Sequence, residues 1–157
     1  MQLEKQLLND TVLKNWTLRL SLAIAGALLE LAPQVGAEPL AMLALDCHPW
    51  HGNIGIAALT AKEVADKAIN DPAEMAAWRF FDFARDFGSW QVATVLGQEM
   101  KSAYYSGERP AVVKAFFSAC AIAITSSVVA EAIAGFVRVD GFRLSVAHPD
   151  DGREFVS

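Results

Sequence analysis

Two uncharged apolar runs, Leu20 to Leu29 and Ala115 to Ala130, constrain this chain more than any other feature, because each must be hidden from water around most of its circumference. Neither reaches the about 20 apolar residues that a helix needs to cross a bilayer. Arg19 and Glu30 flank the first run, Lys114 and Glu131 flank the second, and the second also carries Ser118, Thr125, Ser126 and Ser127. Both runs are therefore read as buried helices, and no membrane partner is expected.

A chain of 157 residues is long enough to bury a core without metals or disulfides, so a single domain over 1–157 is expected. Hydrophobic residues make up 54% of the chain and charged residues 20%, more apolar than an average globular domain. Apolar surface beyond what one core absorbs must go into an interface, which predicts a protein partner or a homodimer. The net charge is -5, and the 13 basic residues are scattered, so a nucleic-acid partner is not expected.

Cys47 and Cys120 lie far apart in sequence and form no CxxC, which argues against a zinc knuckle or a disulfide framework and suits a reducing cytoplasm. Glu4 and Asp10 precede the first hydrophobic stretch, and no A-x-A site follows it, so a secretory signal is disfavoured and a cytoplasmic location expected.

From Leu3 to Leu31 the positions Leu7, Leu8, Val12, Leu13, Trp16, Leu20, Ile24 and Leu28 recur at helical spacing, with Pro33 ending the pattern and Asn9 or Asp10 capping a helix inside it. Leu40 to Leu45 and Ile54 to Leu59 are apolar on both alternating faces and frame the turn-forming segment Asp46 to Asn53, which predicts a hairpin covered by helices on both sides. Thr60 and Glu63 have capping-box spacing. Asp71-Pro72 predicts a helix from Pro72 towards Phe83, Ser89 caps one through about Tyr105 ended by a left-handed Gly107, and Pro110 opens one to roughly Ala134.

Asp140-Gly141, between Phe136–Val139 and Phe142–Val146, fits a type I′ turn and predicts a second hairpin that sets Arg138 opposite Arg143. Two facing arginines are tolerated as splayed, solvated side chains or with an anion between them. Asp150 to Ser157 reads as a polar tail. The fold expected is thus a helix-rich α+β domain with a small antiparallel sheet, built from hairpins at about 40–59 and 136–146 and covered by helices.

Asp46-Cys47-His48-Pro49-Trp50-His51 gathers two of the three histidines with an aspartate, a cysteine and a tryptophan. Asp46, His48 and His51 supply metal-type ligands, but no fourth ligand is evident and no metal is expected. Cys47 beside His48 has the ingredients of an activated thiol, yet neighbours on a strand point to opposite faces. Plain turn formation accounts for Pro49, Gly52 and Asn53, while Trp50 with Asp46, His48 and His51 also makes a reasonable binding surface. The aromatic segment Trp78 to Trp90 is too rich in rings for one helix face, and its Asp82 and Asp86 oppose phosphate binding. Phosphate loops, HExxH, GxSxG and EF-hand loops are absent, and no cofactor is indicated.

Leu43-Ala44-Leu45-Asp46, the returning Ile54-Gly55-Ile56-Ala57-Ala58-Leu59-Thr60 and Trp78-Arg79-Phe80 resemble, over residues 40–83, bacterial proteins of the DUF4303-like type. The resemblance implies a small cytoplasmic bacterial protein related to toxin immunity, acting by tight binding to another protein, and it carries over no functional residue. An acidic balance suits an inhibitor of a cationic toxin. The expected function is a non-enzymatic protein-protein interaction module with candidate binding residues Asp46, His48, Trp50, His51, Arg138 and Arg143. The alternative is a small hydrolase or ligand-binding protein using loop 46–53.

Overall fold

The computed structural model describes residues 9–67, 71 and 74–157. It is a helix-rich α+β fold in which helices cover a small three-stranded mixed sheet. The first helix, α1, runs Asp10–Val35 and is capped by Asn9, whose side chain accepts the Val12 N–H at 2.9 Å. Pro33 does not end it: the proline sits in the last turn, where the amide it lacks would have met the carbonyl of Leu29 on the solvent side. The helix closes instead at Gly36, in the left-handed region at φ 59°.

Strands β1 (Leu40–His48) and β2 (Asn53–Thr60) form the expected antiparallel hairpin, with Asp46 opposite Gly55 and His48 opposite Asn53. Leu43, Leu45, Cys47, Ile54, Ile56 and Ala58 face the main core under the helices, whereas Met42, Ala44, Ala57 and Leu59 face a second cluster closed by Trp78. Helices therefore cover one face, and an irregular segment covers the other. The capping box forms as expected, and α2 (Ala61–Ala65) follows it.

The helix expected from Pro72 to Phe83 does not form over its described part. Met75–Ala77 make a single 3-10 turn, Phe80 bridges to Ala58, and the Phe83 N–H donates to Ile56 O at 3.2 Å. This segment covers the free edge of β2, and satisfying that edge competes with helix formation. Ser89 lies in a second 3-10 turn, Gly88–Trp90, and caps nothing. α3 runs Val92–Ser106 and ends at Gly107, which is extended at φ -120° and not left-handed. The long helix expected from Pro110 to Ala134 is two, α4 (Arg109–Ile124) and α5 (Ser127–Ile133), bent by 51°. Thr125 Oγ1 donates back to Ala121 O at 2.7 Å and competes with the backbone at the break.

The second hairpin is absent. Arg138–Val146 is one strand, β3, parallel to β1 at the sheet's other edge, so the sheet is mixed and not purely antiparallel. While β1 advances from Leu40 to Met42, β3 advances from Arg138 to Arg143, so the Asp-Gly pair lies in a bulge. Neither Asp140 nor Gly141 has the positive φ of a type I′ turn. Pairing with the open edge of β1 outweighs the local turn preference. Nor is the C-terminal segment a loose tail: Glu154 bridges to Ala147 and accepts from Ser145 Oγ and Val146 N, and the Phe155 ring stacks on Phe117 at 5.1 Å.

α1 has the length and composition of a membrane-crossing helix, but half of its most apolar window is buried within the fold. This favours its role as the central core helix.

Candidate functional site

Asp46 and His48 are two residues apart on β1 and so share a face, on the opposite side from Cys47. Asp46 Oδ1 and His48 Nε2 lie 2.8 Å apart. This hydrogen bond is the main reason the imidazole holds its proton above the ordinary histidine value, with burial opposing it. The pair lines a pocket of about 410 Å³ together with Asp82, Arg85, Trp90 and Thr94.

Asp82 was missed by the sequence reading. It comes from the segment that covers β2, and its backbone sits in the left-handed region at φ 50°, uncommon for a residue with a side chain. Gly55 makes room for it, since a Cβ there would lie 3.1 Å from Asp82 Oδ1. Burial, together with the nearby charges of Asp46 and Asp86, raises its carboxyl above the usual range, and Arg85 at 3.9 Å only partly offsets this. The one available signal was Gly55 in an otherwise apolar strand, which marks a close approach.

Chemically the pocket offers a proton-exchanging imidazole with an orienting carboxylate and a second carboxyl nearby. Among the described residues Thr94 is its only hydroxyl, and no thiol lines it. Among the described residues, no three His, Cys, Asp or Glu side chains converge in a way that could hold a metal ion.

The turn between the strands is pinned from below. Gly52, at φ 73°, lies against Gly97 of α3 so closely that a Cβ on Gly97 would overlap Gly52 O. Trp50 is thereby held half-buried among rings: His48 at 5.7 Å, His148 at 5.8 Å, Tyr104 at 6.4 Å and the exposed His51 at 6.3 Å. The structure thus brings Asp46, His48, Trp50 and His51 together, and adds Tyr104 and His148, which sequence distance concealed.

Arg138 and Arg143 are elsewhere and are not cross-strand partners: they pair with Leu40 and Met42 and border a separate depression of about 310 Å³ on β3. Cys47 is wholly buried, with its sulfur 3.9 Å from that of Cys120 and 3.6 Å from Met100 Sδ. The hydrogen-bond contact with Cys120 and burial in the core push its thiol well above the usual range, the opposite of an activated nucleophile.

On another face, α1 and α4 leave between them a groove of about 500 Å³, lined chiefly by apolar groups of Leu13, Leu18, Ala115, Ala119 and Ile122. α1 carries an outer stripe as well as its core-facing one: Leu18 is 56% exposed, Leu22 54% and Leu29 69%, and Ile122 of α4, which lines the groove with Leu18, is 62% exposed. The chain matches no protein-family model, no curated protein and no solved structure.

Proposed function

We propose that this protein is a non-enzymatic protein-protein interaction module whose docking face is the outer stripe of α1 with the α1 and α4 groove that adjoins it at Leu18, a second copy of the chain being its occupant. The supporting observation is the run of Leu18, Leu22 and Leu29 along a helix whose other side already fills the core. A soluble chain gains nothing by exposing so large an apolar stripe unless it is covered in use.

A second copy supplies an exposed apolar stripe identical to the one it covers, so an isologous pair hides both at once. Burying the exposed parts of Leu18, Leu22, Leu29 and Ile122 in both copies yields roughly 1 kcal/mol per side chain. That sum is of the same order as the about 4–15 kcal/mol cost of association, so the dimer is concentration-dependent. Such a dimer leaves the hairpin turn free, and the resemblance to immunity-related proteins supports binding of a toxin in a bacterial cytoplasm as the role of that turn.

The Asp46, His48 and Asp82 pocket favours a second function, ligand binding or small-molecule hydrolysis at loop 46–53.

Sedimentation of the full chain tests the first proposal. The mass should rise above the monomer's 17.0 kDa with concentration. Leu22→Glu, at an exposed site, should abolish the rise without lowering the melting temperature. A wild-type chain that remains monomeric up to about 1 mM, or a Leu22→Glu chain that dimerises as well as wild type, overturns it.

A further inference from the structure

Around the far side of Trp50, a second depression of about 570 Å³ is lined by Trp50, Tyr104, Arg109, His148 and Arg153, and by one carboxylate, Asp150, against two guanidiniums. Its arginines lie against aromatic rings. Arg109 lies over the rings of Tyr104 and Tyr105 at 5.2 and 5.1 Å, and Arg153 over Phe155 at 5.0 Å. Among the described residues neither guanidinium has a carboxylate within ion-pair distance, whereas Arg19 and Arg79 elsewhere do. A guanidinium stacked on a ring keeps its in-plane N–H donors available.

His148 adds a third donor. Its Nδ1 accepts the Asp150 N–H at 3.1 Å, a closer contact than its 3.8 Å approach to Asp151, so the proton of the neutral ring lies on Nε2. Phe117 stacks on the imidazole at 5.2 Å and fixes its plane. Nε2 has no hydrogen-bond partner among the described residues. The pocket therefore combines three uncommitted N–H donor groups, one from α4 and two from the turn 148–153, with two aromatic walls, and its volume is in the range of small-ligand sites.

We propose that this pocket binds a small molecule carrying an oxyanion on a flat aromatic ring, the aryl phosphate class: Arg109, Arg153 and the Nε2–H of His148 hold the anion, and Trp50 and Tyr104 contact the ring. Arginine forks match phosphate oxygens two at a time, and the desolvating aromatic walls strengthen those bonds. The site is independent of the dimer face, so Leu22→Glu leaves it intact.

Phenyl phosphate, inorganic phosphate and benzyl alcohol, titrated separately into the full-length protein, separate the components. The indole N–H resonance of Trp50, assigned with Trp50→Phe, reports binding by NMR. Phenyl phosphate should shift it saturably and at least about tenfold more tightly than either fragment, with affinity falling as salt rises. Arg109→Gln with Arg153→Gln, both at exposed positions, should weaken binding at least about tenfold while the fold, read by circular dichroism, is unchanged. No saturable shift at about 10 mM, or equal binding by the double variant, overturns the proposal. Equal affinity for inorganic phosphate overturns the aromatic half of it.

Discussion

The apolar groove of α1 and α4 and the ring-lined depression beneath the hairpin turn are built on the same helix, yet they leave opposite kinds of group without an internal partner. On one side of α4, Ala115, Ala119 and Ile122 face the groove; on another, Phe117 supports His148 and Phe155, and Arg109 and Val113 border the depression. The groove exposes carbon and selects by area, so it accepts any complementary apolar face. The depression exposes N–H donors in fixed planes and selects by geometry. Surplus apolar composition foretells the first kind of surface and says nothing of the second, which draws three of its residues from Trp50, Arg109 and His148, far apart in the chain.

The sharpest way to break this comparison is Phe117→Ala. Phe117 is wholly buried and stacks on both His148 and Phe155. Removing a buried phenyl costs about 3–5 kcal/mol. If the two surfaces are independent, the surviving folded protein should lose phenyl phosphate binding and still dimerise. Chemical denaturation measures the first effect and sedimentation the last. Equal loss of both activities would mean that α4 couples the two faces.

A smaller effect separates the C-terminal segment from the rest. Burial alone would raise the Glu154 carboxyl, but hydrogen bonds from Ser145 Oγ and from the amides of Val146, Val156 and Phe155 outweigh it and hold the group below its usual value. A depressed carboxyl contributes stability above its unfolded value and loses that contribution as pH falls through the folded one. Glu154→Gln should therefore cost about 1 kcal/mol at neutral pH, an amount reduced by exposure, and the wild-type advantage should vanish in acid. The dimer should not respond. Denaturation midpoints measured across the acid range check the sign.

Elements that depend on nearest neighbours were legible in the sequence: the Asn9 cap, the Thr60 and Glu63 capping box and the hairpin around Pro49 to Gly52. Elements decided by a distant partner were not. Asp140-Gly141 has the chemistry of a turn, but β1 presents an open edge and the longer parallel ladder wins. Residues 80–83 fall within the helix that Asp71-Pro72 predicts and are instead used to cover β2. Of the site, Asp46 with His48 follows from strand alternation, while Asp82 and His148 reach it only through folding.

The smallest expected effect concerns the arginines that the sequence grouped with the turn. Arg138 and Arg143 are exposed and have no ion pair among the described residues; they flank a bulge on β3, away from both surfaces. Their backbone pairing with β1 does not depend on the side chains, so Arg138→Ala and Arg143→Ala should each change stability by less than about 0.5 kcal/mol. The two substitutions should also be additive, because among the described residues no shared carboxylate joins them and they are not cross-strand partners. Neither the dimer nor phenyl phosphate binding should move. A loss of phenyl phosphate binding in either variant would relocate the anion site to β3, where two unpaired guanidiniums share the depression beside Phe142, and would leave the Trp50 pocket with rings alone.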